Sequence, residues 1–184
     1  ELEGGEARKA AMQRGERLEP IARRAFERLF GVDVEESGLH IHPRYPTMLA
    51  GSPDGIVREP DGDLSDTLVE FKVAREGATG MALTDSYLVQ LQLLMACTAT
   101  RNADFCVLVA FAGTNELVVT NVGRDDELVA VVESQLVDFF NEAKEDGDLY
   151  PRNSAAAAEL RLALRVSRQN VVGEEKAFRV SLTS

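Results

Sequence analysis

The stretch Leu68-Val69-Glu70-Phe71-Lys72 combines an apolar strand pattern with two charged side chains. Side chains alternate between the two faces of a strand, so Glu70 and Lys72 share one face while Phe71 points to the other. A carboxylate and an ammonium side by side have two interpretations. They form either a plain ion pair on a half-exposed strand or part of a reactive site.

Asp54 favours the reactive site. The surrounding Gly51-Ser52-Pro53-Asp54-Gly55 contains common turn residues and, taken alone, predicts a turn. However, Asp54 opens one predicted strand, and the chain returns on the strand that carries Glu70. If these two strands pair, the two carboxylates converge near one end of the hairpin.

Two neighbouring carboxylates raise each other's pKa and destabilise the fold unless a cation compensates their charge. Oxygen ligands of this kind suit Mg²⁺, with Mn²⁺ as the alternative. Lys72 beside them would steer or deprotonate a water molecule, or neutralise a developing negative charge. The sequence therefore predicts a divalent metal site for hydrolysis.

The elements that position these residues follow from hydrophobic periodicity. Predicted helices span 5 to about 30, 85–100, 124–145 and 155–168, and predicted strands span 39–42, 47–50, 55–58, 67–73, 104–111, 116–122 and a short stretch around 178–182. Pro20 predicts a kink or a fresh start in the first helix, with Glu19 at an irregular point of the backbone.

The order of these elements predicts one α/β domain with a central mixed sheet flanked by helices. We expect residues 1–150 to form the domain and residues 151–184 to form a C-terminal extension of a helix and a short strand. This extension would pack on the domain or lie in an oligomer interface.

Composition limits the function classes. The 184 residues are 45% apolar and 28% charged, as in globular proteins, and no apolar run is long enough for a membrane helix, so we expect no membrane partner. The net charge of −11 argues against nucleic acid as a ligand, unless a bound divalent cation reverses the sign locally. Cys97 and Cys106 fit no zinc or disulfide spacing, which indicates a reducing, cytoplasmic location.

Four stretches, in this order, resemble the PD-(D/E)xK nuclease superfamily and, within it, the lambda-exonuclease-like branch of YqaJ-type viral recombinases. They lie between residue 10 and about residue 112 and are Arg14-Gly15-Glu16-Arg17-Leu18-Glu19, Ser52-Pro53-Asp54-Gly55, Leu68-Val69-Glu70-Phe71-Lys72 and Tyr87-Leu88-Val89-Gln90-Leu91-Gln92. The resemblance implies a restriction-endonuclease-like core.

The resemblance also implies an activity: a 5′→3′ exonuclease that trims one strand of linear double-stranded DNA for single-strand annealing recombination. Asp54, Glu70 and the backbone carbonyl of Phe71 would hold one metal ion, and Glu19 would help to bind a second. Lys72 would orient the attacking water. Two-metal hydrolysis of this kind is a general solution to phosphodiester cleavage.

Ser52 and Gln90 are the residues that, by the same resemblance, contact the terminal 5′-phosphate. Gln92 is a weaker candidate because it need not face the same way as Gln90. Family members carry an upstream helical segment that supplies basic residues to this pocket. This sequence begins too late to show such a segment, which leaves three alternatives. Either the segment is missing from the sequence, or Arg8, Lys9 or Arg14 takes over the contact with DNA, or the protein is less specific for the 5′ end.

The resemblance further implies a homo-oligomer, a ring-shaped trimer, in a bacterial or phage-infected cell, with a single-strand annealing protein as a partner. A closed ring could gather its basic groups in a central channel and keep an acidic exterior. Related Cas4-like proteins hold an iron–sulfur cluster with four cysteines; with only two here, we expect no such cluster.

Two other functions remain open: an endonuclease with the same core, and a catalytically silent DNA-binding or assembly module. The complete set of Asp54, Glu70 and Lys72 argues against the silent module. His40 and His42 have no evident third ligand, so a packed or solvated strand is favoured over a metal site. The arginine row at 161, 165 and 168 is more typical of a solvated face than of a DNA contact.

Overall fold

A computed structural model describes residues 2–58, 66–75, 77–111, 114–145 and 155–180. In chain order the elements are α1 (Leu2–Phe30), β1 (Val34–Glu35), β2 (His40–Ile41), β3 (Ala50–Gly51), β4 (Gly55–Val57), β5 (Thr67–Val73), α2 (Asp85–Thr98), β6 (Asn102–Phe111), β7 (Thr114–Gly123), α3 (Asp126–Glu145), α4 (Ala155–Val171) and β8 (Val172–Arg179). No helix in the described part of the chain combines the length and apolarity needed to span a bilayer.

Six strands form one sheet in the order β1-β4-β5-β6-β7-β8, and β2 pairs with β3 in a separate ribbon. Strands β5 and β6 are parallel, and the other pairs are antiparallel. Parallel neighbours need a crossover connection, which α2 supplies here. The predicted central mixed sheet flanked by helices is confirmed.

The alternation of β5 divides the core into two layers. Val69 and Phe71 pack with α1 on one face of the sheet, and Leu68 packs with α2, α3 and α4 on the other. Glu70 has the same parity as Leu68, so it lies on the α2 face. This arrangement puts the charged pair of β5 against the first half of α2.

Helix α1 runs without a break through Pro20. The prediction of a fresh helix start is therefore wrong, and Glu19 lies inside a continuous helix. Proline removes one backbone hydrogen bond, to the carbonyl of Glu16, but both Pro20 and Glu16 are exposed, so water can bond that carbonyl. Burial of Leu18 and Ala22 on either side of the proline holds the helix on the sheet.

The C-terminal residues share the sheet and core of the preceding ones. Strand β8 pairs antiparallel with β7, and Leu164 of α4 is buried with α2 and α3. Sequence patterns predicted this helix and strand but not their full lengths, because β8 is mostly exposed and lacks regular alternation. The predicted strand around 178–182 extends to positions 181 and 182, which lie outside the described residues.

Two contacts with the buried carboxylate of Glu133 fix the β2–β3 ribbon, which leads into Ser52 and Asp54. His42 Nε2 lies 3.0 Å from Glu133 Oε1 of α3, and Arg44 donates to Glu133 Oε2 at 2.8 Å. His42 is 2% exposed and is stacked on a tyrosine ring, so it is a packed core residue. The ribbon is thereby anchored to α3.

Asp104 of β6 is a buried carboxyl whose charge is expected to destabilise the fold. Burial raises the pKa of the Asp104 carboxyl above its ordinary value, and the hydrogen bond from Asn121 Nδ2 (3.1 Å) offsets only part of the shift. An acid whose folded-state pKa is raised loses stability as the pH rises through that pKa, because the folded state must then bury a charge. Asp104→Asn keeps the acceptor for Asn121 and removes the charge.

We therefore expect Asp104→Asn to raise the melting temperature by on the order of a few degrees near neutral pH. The gain should shrink toward pH 4, where the unfolded carboxyl also takes up its proton. Thermal melts across this pH range measure it, with the exposed Asp138→Asn as the matched control. An increase in melting temperature that is the same at pH 4 and at neutral pH would contradict the conclusion that burial of the Asp104 charge costs stability.

Candidate active site

Glu70 is the centre of the candidate site. The residue is only 2% exposed, and its Oε1 accepts hydrogen bonds from Lys72 Nζ at 2.5 Å and from Gln90 Nε2 at 2.7 Å. The other oxygen, Oε2, is buried and has no hydrogen-bond partner. An unsatisfied buried carboxylate oxygen is costly, so this atom is a strong candidate to face a cation.

Asp54 meets Glu70 across the β4–β5 pair, as the sequence predicts. Its Oδ2 accepts a hydrogen bond from the backbone N–H of Phe71 at 2.7 Å. Burial, and then the charge of Asp54, raises the pKa of Glu70; Lys72 and Gln90 oppose this. The two acids therefore lie close enough to influence each other.

Arg23 of α1 holds the Asp54 turn in place. Its Nη2 donates to the backbone carbonyl of Asp54, and its Nη1 donates to the carbonyl of Val34 at 3.1 Å. The guanidinium also lies 6.0 Å from the centre of the Phe71 ring. One arginine thus joins α1, β1, the Asp54 turn and β5.

Lys72 lies on the same face as Glu70 and bonds to two of the predicted metal-binding groups. Besides Glu70 Oε1, it donates to the backbone carbonyl of Phe71 at 3.2 Å. Burial alone would lower the pKa of the ammonium, but the charge and hydrogen bond of Glu70, together with smaller contributions from Asp54 and Tyr87, raise it above its ordinary value. The Tyr87 ring lies 6.0 Å from Lys72 Nζ and packs on Phe105, which supports the lysine from the α2 side.

Glu19 belongs to the same electrostatic group although it comes from α1. Burial, and then the charge of Asp54, raises the pKa of this half-buried carboxyl, while Lys72 and Arg23 lower it. Glu19 is therefore near enough to Asp54 and Lys72 to interact with both. The structure brings α1, the Asp54 turn and β5 near one another.

The donor set fits a hard divalent cation. Glu70 Oε2 is unpartnered, and Asp54 and the carbonyl of Phe71 are further oxygen donors, which is the chemistry Mg²⁺ prefers. Among the described residues no three histidine, cysteine or carboxylate side chains are grouped closely enough to hold a metal on their own. Mg²⁺ is commonly bound through one or two carboxylates, with water and substrate phosphates completing the shell, so such a site suffices.

Gln90 and Gln92 lie on different sides of α2. Gln90 donates to Glu70, so its amide lies at the carboxylate centre. Gln92 is fully buried, donates to the carbonyl of Gly123 at 2.8 Å and accepts from the N–H of Asp125 at 2.8 Å. The structure does not bring Gln92 to the site, and we remove it from the residues proposed to contact DNA.

The two remaining predicted DNA contacts, Ser52 and Arg14, have different surroundings. Ser52 is exposed, and its Oγ donates to the carbonyl of Ser37 at 3.5 Å, a weak contact. Arg14 is half-buried, and its Nε donates to the carbonyl of Ala74 at 3.4 Å. Arg14 therefore lies beside the segment that follows β5.

Sequence reasoning missed Arg23 and Tyr87. Arg23 is one of several arginines of α1, and the sequence carries no signal that separates it from its neighbours. Tyr87 opens the stretch that ends in Gln90 and Gln92, and an aromatic residue one turn before Gln90 is the available signal.

Comparisons with known proteins show a family and similar solved structures. The model of the YqaJ-like viral recombinase domain matches residues 2–101. No curated protein matches the chain. Among solved structures, an alkaline exonuclease (LHK-Exo) from Laribacter hongkongensis is similar, with a TM-score of 0.56 and 27% identity over 87% of this chain and 75% of that one. LHK-Exo in complex with dAMP is also similar, with a TM-score of 0.55 and 26% identity over the same shares.

These likenesses bear on both fold and family. The structural similarity supports the predicted restriction-endonuclease-like core, a central mixed sheet between helices. The matched family segment contains all four stretches on which the sequence resemblance rests. Because the match covers more than half of the 184 residues, this chain belongs to the family of YqaJ-like viral recombinase domains.

Proposed function

We propose that this protein is a metal-dependent exonuclease that degrades one strand of linear double-stranded DNA from its 5′ end and so prepares single strands for annealing recombination. Its family and its similarity to an alkaline exonuclease, one structure of which contains dAMP, support a nuclease in recombination. The observation that carries the proposal is the buried, unpartnered Oε2 of Glu70, next to Asp54 and beside Lys72.

The proposed metal ligands are Asp54, Glu70 and the backbone carbonyl of Phe71, with Glu19 contributing to a second ion. Mg²⁺ is the proposed metal and Mn²⁺ the alternative. Such ions, when bound, lower the pKa of water and shield the leaving oxygen of a phosphodiester. The donor residues come from three separate elements, so the fold must be complete before the site exists.

The other residues act on these ligands and on the substrate. Lys72 bonds to both Glu70 and the Phe71 carbonyl, so its ammonium is placed to orient the attacking water or to neutralise charge on the phosphate. Gln90 holds the Glu70 carboxylate in one orientation through Oε1. Arg23 fixes the backbone of Asp54 and so positions its side chain.

The proposal includes partners that the family resemblance implies. Double-stranded DNA ends are the substrate, Ser52 and Gln90 contact the 5′-phosphate with Arg14 as an additional basic candidate, and copies of the chain assemble into a closed ring, a trimer. A single-strand annealing protein would receive the product strand. A ring would also explain how a chain with a net charge of −11 binds DNA, through basic groups gathered inside it.

Digestion of end-labelled DNA tests the activity. Linear duplexes labelled at the 5′ or the 3′ end, with and without a 5′-phosphate, are incubated beside closed circular DNA in Mg²⁺ or EDTA. We expect early release of the 5′ label, retention of the 3′ label on a shortening strand, intact circles and no reaction in EDTA. Cutting of the circles would point instead to an endonuclease, and no cleavage in either Mg²⁺ or Mn²⁺ would point to a silent DNA-binding module.

A further inference from the structure

Arg168 differs from the other two arginines in the row along α4. Arg161 and Arg165 are exposed, as predicted, whereas Arg168 reaches the segment that leads into α2. Its Nη1 donates to the backbone carbonyl of Leu83 at 2.8 Å, and its Nη2 donates to Asp85 Oδ1 at 2.7 Å. The planar fork of one guanidinium thus binds two acceptors at the start of α2.

The first turn of α2 has few other contacts that hold it. Thr84 is the N-cap residue, and its hydroxyl accepts from the backbone N–H of Tyr87 at 3.4 Å, within the same helix. Residues 84–86 are exposed, so burial contributes little there. Within the described ranges, the hydrogen bonds that join residues 83–86 to another helix or strand are the two from Arg168. Arg168 is therefore the polar anchor of this turn.

Helix α4 is itself fixed, so its arginine can act as an anchor. Leu164, one turn before Arg168, is buried in the core layer that also contains Leu88 of α2. The pair of Arg168 and Asp85 is partly exposed, with 36% and 64% of the two side chains accessible. Exposed ion pairs add little to global stability. We therefore expect this contact to affect the placement of α2 more than the stability of the fold.

The same end of α2 carries two side chains of the candidate active site. The Tyr87 ring lies 6.0 Å from Lys72 Nζ, and Gln90 Nε2 donates to Glu70 Oε1 at 2.7 Å. Gln90 follows Asp85 by about 7.5 Å along the helix axis, at about 1.5 Å per residue. Continuous backbone hydrogen bonds join these turns, so a displacement of the first turn would reach both side chains.

We propose that Arg168 is a positioning residue of the active site. It holds the first turn of α2 so that Gln90 meets Glu70 and Tyr87 lies beside Lys72. This inference rests on the proposed nuclease function. Helix α4 lies beyond residues 2–101, which match the family model, so the matched segment receives this anchor from a part of the chain outside it.

A kinetic test compares Arg168→Ala with Arg165→Ala, which removes the same charge from an exposed position of the same helix. Single-turnover cleavage of a labelled linear duplex at saturating protein, in Mg²⁺, measures the rate. Fluorescence anisotropy with the same duplex in EDTA measures the affinity. We expect Arg168→Ala to cleave about 10- to 100-fold more slowly with unchanged affinity, because small displacements of active-site groups cost rate. Equal losses in the two variants, or weaker binding that accounts for the slower cleavage, would overturn the inference.

Two further variants separate positioning from folding. Asp85→Ala breaks the ion pair from the α2 side, leaves the bond to Leu83 and should lower the rate by a smaller factor, so it carries the test if Arg168→Ala does not fold. In a Gln90→Ala background, Arg168→Ala should lower the rate less than in the wild type, because residues that act through one another have non-additive effects. A loss of the same size in both backgrounds would contradict the proposed route through Gln90.

Hydrogen exchange reports the order of α2 without any cleavage. The N–H of Leu88 donates to the carbonyl of Thr84 at 2.9 Å. This amide and its successors in α2 should exchange about tenfold faster in Arg168→Ala than in the wild type or Arg165→Ala, since two lost hydrogen bonds favour local opening. Unchanged exchange would overturn the inference. An inactive wild-type protein would refute the nuclease function, and exchange alone would then decide whether Arg168 orders the start of α2.

Discussion

Replacing Lys72 with alanine is expected to lower the rate of DNA cleavage by about 10²–10⁴-fold, the range that one positioned proton-transfer or charge-stabilising group supplies. Lys72 Nζ is hydrogen-bonded to Glu70 Oε1 and to the Phe71 carbonyl, so its ammonium contacts two of the proposed metal ligands. Single-turnover cleavage of a labelled linear duplex in Mg²⁺ measures the loss.

Two controls separate chemistry from folding and binding. Lys176→Ala removes an exposed lysine from β8 and should leave the rate unchanged. The Lys72→Ala protein should still bind DNA, and a thermal melt must show that it is folded at the assay temperature, since Glu70 loses a buried partner. Cleavage at the wild-type rate would remove Lys72 from the mechanism.

Asp54→Asn is expected to abolish both cleavage and the gain in thermal stability that Mg²⁺ or Mn²⁺ gives to the wild-type protein. A ligand that binds the folded state at 100 times its Kd stabilises it by about 2.7 kcal/mol, and a variant that cannot bind loses this increment. The asparagine oxygen still accepts the hydrogen bond from the Phe71 N–H, so the turn is held while the charge is lost.

In EDTA the same substitution should raise the melting temperature or leave it unchanged. Burial, and then the charge of Asp54, raises the pKa of both Glu70 and Glu19, so neutralising Asp54 relieves a repulsion in the metal-free protein. Melts of wild type, Asp54→Asn and the exposed Asp138→Asn, each with Mg²⁺, Mn²⁺ or EDTA, provide the comparison. A metal-dependent gain in Asp54→Asn equal to that of the wild type would show that Asp54 is not a ligand.

The parts of the fold that follow a local period were predictable from sequence. The alternation in Thr67–Val73 correctly predicted a strand with Glu70 and Lys72 on one face, and the spacing of apolar residues correctly predicted α1 and α2. Strand β1 has two residues, too few to establish a period, and it was missed. Its place in the sheet depends on pairing with β4, which is a long-range contact.

Within the candidate site, sequence predicted the acids but not what supports them. Asp54 and Glu70 could be paired in advance because two consecutive strands bring them together. The contact of Arg23 with the Asp54 carbonyl spans 31 residues, and no local pattern encodes it. Burial of the residues on both sides of Pro20 likewise outweighs the local tendency of proline to interrupt α1. This burial depends on tertiary contacts, so the sequence around Pro20 does not reveal it.

The opposed directions of Gln90 and Gln92 affect how a mutational scan of this protein should be interpreted. Successive positions turn by about 100° around a helix axis, so these two amides point roughly 200° apart. Gln92 joins the end of β7 to the residue before α3, and alanine there would leave two partly buried backbone groups, the carbonyl of Gly123 and the N–H of Asp125, without their partner. A loss of activity on substituting Gln92 would reflect a less stable fold. The same loss on substituting Gln90 would reflect a change in the active site itself. Assays at several temperatures would distinguish the two.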